Sequence, residues 1–126
     1  MESVVLVVDD SKTVRLTTSK MLQELGFSIL EASTGDEGLR LLRKNPHVKL
    51  VLADYNMPDL NGIEMIDFIK KDESLTHIFC VMVTSMGTEA DKLTKTAKDA
   101  GVVAWLKKPI NKRQLASLVE KLGVDS

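Results

Sequence analysis

The chain has 126 residues, 44% of them apolar and 28% charged, with a formal net charge of −1. This is the composition of a soluble domain large enough for its own core, and near-neutrality without a long Lys/Arg run argues against a nucleic-acid binder. No apolar stretch approaches the about 18 residues of a membrane span, and Met1-Glu2-Ser3 lacks the basic start of a signal peptide, so a cytoplasmic protein is expected.

The first apolar run, Val4-Val5-Leu6-Val7-Val8, predicts a strand buried on both faces, and it ends at Asp9-Asp10. Residues 12–25 read as a helix with Val14, Thr18, Met21 and Leu25 on one face, closed by Gly26. A short strand over 27–31 is followed by a helix over 35–44 that Asn45-Pro46 ends. A strand over 49–53 leads into Asp54 and a loop to Asn61 rich in turn residues. A helix over 62–71 puts Ile63, Ile66 and Ile69 inward. The strand over 78–83 ends at Thr84-Ser85 and holds the one cysteine, Cys80, which reads as a buried, inert thiol. A helix over 88–99 carries Ala90, Leu93, Ala97 and Ala100 on one stripe, capped by Gly101. The strand over 102–106 ends at Lys107-Lys108-Pro109, and a last helix over 111–122 spaces Leu115, Leu118, Val119 and Leu122 along one face.

Five strand–helix pairs predict an α/β fold: one doubly wound parallel sheet with helices on both faces and right-handed crossovers. Ligands of such sheets bind outside the carboxyl ends of the strands. An acid pair, a lone acid, a hydroxyl and a base all fall there. Three carboxylates in one crevice repel each other unless something neutralises them, and an all-oxygen site suits Mg²⁺. Neither His47 nor His77 is placed near the cluster, which argues against a softer metal. A divalent ion, a carboxylate, a hydroxyl and a lysine together fit phosphoryl transfer, in which a carboxylate can attack phosphorus. Asp54 is the best candidate for that nucleophile, because it stands alone at the end of the presumed central strand. Each residue also has a plainer reading: an aspartate as helix cap or turn former, Thr84 as a strand end, Lys108 as a solvated base. A second adjacent aspartate at position 10 is not explained by capping.

The segments Leu6-Val7-Val8-Asp9-Asp10-Ser11, Asp54-Tyr55-Asn56-Met57-Pro58-Asp59-Leu60-Asn61-Gly62, Val83-Thr84-Ser85 and Lys108-Pro109 resemble the signature of the response-regulator receiver domain, and stand-alone chemotaxis regulators in particular. The resemblance spans residues 1–126 as one receiver domain with no separate output domain. It implies a flavodoxin-like sheet of order 2-1-3-4-5, the order of stand-alone chemotaxis regulators. It also implies that Asp54 accepts a phosphoryl group from a histidine kinase or histidine phosphotransfer protein. Asp10 and Asp54 would bind Mg²⁺ through their side chains, Asn56 through its backbone carbonyl and Asp9 largely through water. Thr84 would be the switching hydroxyl, Lys108 the lysine that pairs with the phosphoryl group, and Pro109 would follow a cis peptide. Trp105 holds the aromatic switch position, where Tyr or Phe is usual, and Ser85 stands where Ala is common.

The expected function is a phosphoacceptor that assists its own modification without being a turnover enzyme. Its output would pass to a downstream protein through the face formed by the fourth helix, fifth strand and fifth helix, as a monomer or a weak phosphorylation-dependent dimer. The alternative is a Mg²⁺-dependent phosphatase or phosphotransferase working through an aspartyl phosphate. It would need an acid–base aspartate two residues after a nucleophile on the first strand, where Ser11 and Lys12 stand instead. A flavin or nucleotide module on the same fold would need a phosphate-binding first loop, which Asp9-Asp10 opposes.

Overall fold

The computed structural model describes residues 3–58, 60–85 and 96–126. Its strands are β1 (Val4–Val8), β2 (Ser28–Ala32), β3 (Leu50–Asp54), β4 (Phe79–Thr84) and β5 (Val102–Lys107). Its helices are α1 (Lys12–Glu24), α2 (Gly35–Lys44), α3 (Gly62–Lys71), α4, described over 96–100, and α5 (Lys112–Leu122). One 3₁₀ turn, Glu73–Leu75, precedes β4. All neighbouring strands are parallel and the order is β2-β1-β3-β4-β5, the doubly wound fold expected.

Alternation along each strand feeds two cores. Leu6, Val8, Val51, Ala53, Cys80 and Met82 face one side, where they meet Leu39 and Leu42 of α2 and Met65, Ile66 and Ile69 of α3. Val5, Val7, Leu50, Leu52, Val81 and Val83 face the other, against Leu22 of α1 and Leu115, Leu118 and Val119 of α5. Burial on both faces is why β1 and β3 read as unbroken apolar runs. Cys80 lies in the first core with its thiol pushed up to about 11 by burial, against a weaker downward pull from Lys70. Among the described residues no helix is long and apolar enough to cross a membrane.

Strands β2, β3, β4 and β5 each end one residue further toward the carboxyl end than the apolar pattern predicts, and the first three also start one residue later. The amides of Phe27 and Ile78 are taken by the preceding turns, through Leu22 O and Leu75 O, both at 3.1 Å. The N-cap of α1 is Ser11, whose hydroxyl accepts from Val14 N, and not Asp9 or Asp10. Asn61 caps α3 in a reciprocal capping box with Glu64, and Gly62 is the first helical residue, as expected. The fully buried face of α1 includes Leu22, outside the predicted stripe. Of the predicted fourth helix, Ala97 and Ala100 are buried as expected, while Ala90 and Leu93 lie outside the described residues. Strand β5 is one of the two sheet edges and contains an irregularity. Cys80 pairs with Val102 and Val81 with Ala104, so Val103 is an extra, unpaired residue, half exposed to solvent.

Candidate functional site

Each polar residue of the rim is delivered by one device, a ladder bond made just past an apolar run. Asp9 N donates to Ala32 O at 3.1 Å, Tyr55 N to Val83 O at 2.9 Å and Lys108 N to Thr84 O at 2.9 Å. Asp54 pairs with Val83, and Thr84 with Lys107. Acid, hydroxyl and lysine therefore occupy the ends of three adjacent strands. Among the described residues the buried polar groups include Asp9, Asp54 and Thr84, at 3%, 4% and 3% exposure, whereas Asp10 faces solvent. Carboxylate oxygens of Asp9, Asp10 and Asp54 lie within 4.8 Å of one another.

Lys108 bridges the two buried acids, its Nζ 2.9 Å from Asp9 Oδ2 and 3.4 Å from Asp54 Oδ1. Asp9 Oδ1 also accepts from Ser11 N at 2.9 Å, and Asp54 Oδ1 from Asn56 N at 3.4 Å. Burial and then the Asp9 charge raise the Asp54 carboxyl above its ordinary value, and Lys108 only partly opposes them. For Lys108, burial disfavours the ammonium, but the hydrogen bond to Asp9 and the charges of Asp54 and Asp9 outweigh it, so its pKa is raised. The crevice thus holds an acceptor reluctant to ionise beside a lysine committed to its charge.

The loop after β3 returns to the strand end at very close range. A Cβ built on Gly62 would lie 2.6 Å from Met82 Sδ and 2.7 Å from the Asp54 carbonyl oxygen, so only glycine fits there. The donor set is all oxygen, with one member open to water, which suits a hard divalent cation that keeps part of its hydration shell. The softer ligands are elsewhere: His77 Nε2 lies 2.6 Å from Pro46 O before the amino ends of β3 and β4, and His47 is likewise exposed.

Asp9, Asp10, Asp54, Thr84 and Lys108 therefore converge as the sequence predicts. Asn56 is exposed beside Asp54, and Pro109 follows a cis peptide. Trp105 stands apart, opposite Met82 on β5, half-buried against the α2–α3 core. One neighbour of the site, Arg15 on α1, carries no sequence signal that separates it from a solvated base. Ser11 stands directly before the helix, a signal for the cap role that the adjacent aspartates obscured.

A cluster of acids bridged by lysine thus stands at the carboxyl rim of a flavodoxin-like, doubly wound sheet. A family model for the response regulator receiver domain matches residues 5–120, and the chain belongs to that family. It is 37% identical over 123 residues to a chemotaxis protein CheY homolog of Campylobacter jejuni, covering 96% of this chain and 93% of that protein. It is 34% identical over 116 residues to chemotaxis protein CheY1 of Helicobacter pylori, covering 91% of this chain and 92% of that one. The chemotaxis response regulator CheY4 of Vibrio cholerae has the same fold, with a TM-score of 0.87 at 27% identity over 97% of this chain and 99% of that one. The protein is a phosphoacceptor response regulator of two-component signalling, and the phosphatase alternative is not favoured.

Proposed function

We propose that Asp54 is the phosphoryl acceptor, that Asp9, Asp10, Asp54 and the Asn56 backbone carbonyl hold Mg²⁺, and that Thr84 and Lys108 engage the transferred group. One observation carries this reading: two buried carboxylates share a single ammonium while a third carboxylate stands within 4.8 Å of them. An oxygen of Asp54 attacks phosphorus in line with the bond to an imidazole nitrogen of a phosphohistidine. The O–P bond forms as the N–P bond breaks, and the nitrogen keeps the electron pair. Bound Mg²⁺ offsets the carboxylate repulsion and the charge on the equatorial phosphoryl oxygens. Lys108 moves from its carboxylate partners to a phosphoryl oxygen, and the Thr84 hydroxyl donates to another.

The donor in this reading is a sensor histidine kinase or a histidine phosphotransfer protein. The modified chain is a signal rather than a turnover enzyme, acting in the cytoplasm on a downstream protein. Withdrawal of the Thr84 hydroxyl toward the phosphoryl group shifts the rotamers open to Trp105, and with them the partner affinity of the α4–β5–α5 face. Incubation with Mg²⁺ and a small acyl-phosphate donor tests the assignment by intact mass. One added phosphoryl group on the wild type and none on Asp54→Asn is the expected result. Stoichiometric modification of Asp54→Asn overturns it.

A further inference from the structure

Asp9 and Asp54 are each held from two sides, by Lys108 and by a backbone amide. Asp10 is different. Its side chain has no hydrogen bond or ion pair among the described residues, so its direction is set by the backbone from which it springs. That backbone is held on the Asp9 side by Asp9 N donating to Ala32 O and on the Ser11 side by Ser11 N donating to Asp9 Oδ1, and between them by one side chain from α1. Arg15 Nη1 donates to the Asp9 carbonyl oxygen at 2.8 Å, the oxygen of the peptide that joins Asp9 to Asp10. A peptide is planar, so holding its oxygen fixes the plane in which the Asp10 Cα lies.

Arg15 is well placed to be a clamp. Its Nε donates to Glu31 Oε1 on β2 at 3.1 Å, and its own backbone N bonds Ser11 O at 2.9 Å within the first turn of α1. Its side chain is only 16% exposed and that of Glu31 33%, so this is not a loose surface pair. Two directed bonds from one planar guanidinium leave little freedom, and a lysine cannot reproduce both.

We infer that Arg15 is a positioning residue for the cation site: through the Asp9–Asp10 peptide it sets the direction of the Asp10 carboxylate, and Glu31 keeps it there. This rests on the proposed Mg²⁺ site. Simple electrostatics makes the opposite forecast. Removing a positive charge beside three acids should tighten cation binding, and replacing arginine by lysine should leave it unchanged.

The test is a calorimetric Mg²⁺ titration of the wild type, Arg15→Met, Arg15→Lys, Glu31→Gln and Asp10→Asn, with urea unfolding of each as a check on folding. Binding about tenfold weaker in Arg15→Met is expected, the usual size of a lost supporting contact at a metal site. Arg15→Lys and Glu31→Gln should also weaken binding, by less. Adding Arg15→Met to Asp10→Asn should cost nothing further, because the carboxylate it steers is gone. Unchanged or tighter binding in Arg15→Met and Arg15→Lys, with Asp10→Asn weakened, overturns the inference and leaves the site standing. Absence of Mg²⁺ binding by the wild type, or wild-type affinity in Asp10→Asn, overturns the site itself. Should Arg15→Met fail to fold, Arg15→Lys decides by the same rule.

Discussion

Two lysines stand at opposite ends of the sheet, both half-buried, and they differ in what holds them. Lys70 of α3 donates from Nζ to the carbonyl oxygens of Thr76 and Ile78, before and at the foot of β4. Its stem lies so close to Gly101 that a Cβ there would come 2.6 Å from Lys70 Cγ, and Gly101 also sits at φ +111°. Lys108 donates to two carboxylates at the rim. The partners of Lys70 are neutral backbone carbonyls, so the bond is permanent architecture. In the proposed function the partners of Lys108 change state with protons, a cation and a phosphoryl group, which makes that bond exchangeable. Partial burial of a lysine does not by itself mark function; replaceable partners do.

The contrast breaks or sharpens under four measurements. Lys108→Met should slow phosphoryl acceptance from an acyl-phosphate donor by about 10²-fold or more, the size of a lost electrostatic donor at a reacting centre. Lys70→Met should leave the rate unchanged in the same mass time course, and equal losses in the two variants would erase the distinction.

Stability should separate them next. At pH 7 Lys108→Met leaves two adjacent buried carboxylates without a counter-charge and should cost about 2 kcal/mol in urea unfolding. Lys70→Met forfeits two hydrogen bonds at a partly exposed site and should cost about 1 kcal/mol. The Lys108 loss should shrink on acidification, as Asp54 becomes neutral at its raised pKa. It should also fade at strongly alkaline pH. The folded pKa of Lys108 lies above 10.5, so its contribution is present below that value and lost as pH rises through the raised one. A pH-independent Lys108 loss would contradict the carboxylate bridge.

Mg²⁺ at ten times its Kd should add about 1.4 kcal/mol to the wild type and to Lys70→Met alike. Asp10→Asn should forfeit most of that gain. Melting with and without chelator checks it, and identical curves would remove the cation from the picture.

The smallest effect is on Asp54 itself. Its pKa is raised on folding, so its contribution favours the fold below 3.8 and is lost as pH climbs through the folded value. Asp54→Asn should therefore stabilise the metal-free protein at pH 7 by about 1 kcal/mol, the usual size of relief at a strained functional site. The advantage should vanish near pH 3, and an advantage that grows on acidification would reverse the sign of the argument.

Much of this was legible in the residues. The limits of β1, α2 and α3 follow from apolar runs and helix punctuation, and the convergence of Asp9, Asp54, Thr84 and Lys108 follows from strand-end placement in a parallel sheet. What was not legible depends on third dimensions that no short-range pattern encodes. That Lys108 sits closer to Asp9 than to Asp54 is a matter of side-chain reach across a crevice. That Arg15 turns inward depends on Glu31, sixteen residues away on a neighbouring strand. That position 62 must be glycine depends on the Asp54 carbonyl oxygen, with Met82 beside it, lying against the start of α3.

The unpaired Val103 has a consequence for identity at the rim. With regular pairing from Cys80 and Val102 onward, Leu106 would meet Thr84, and Lys107 would stand where Lys108 now donates its amide. The tryptophan would likewise slide from Met82 to Val83. A one-residue slack in an edge strand thus chooses which of two consecutive lysines becomes the counter-ion: drawing Val103 into the ladder would bring up Lys107, whereas deleting it would leave Ala104 opposite Val81 and Lys108 in place.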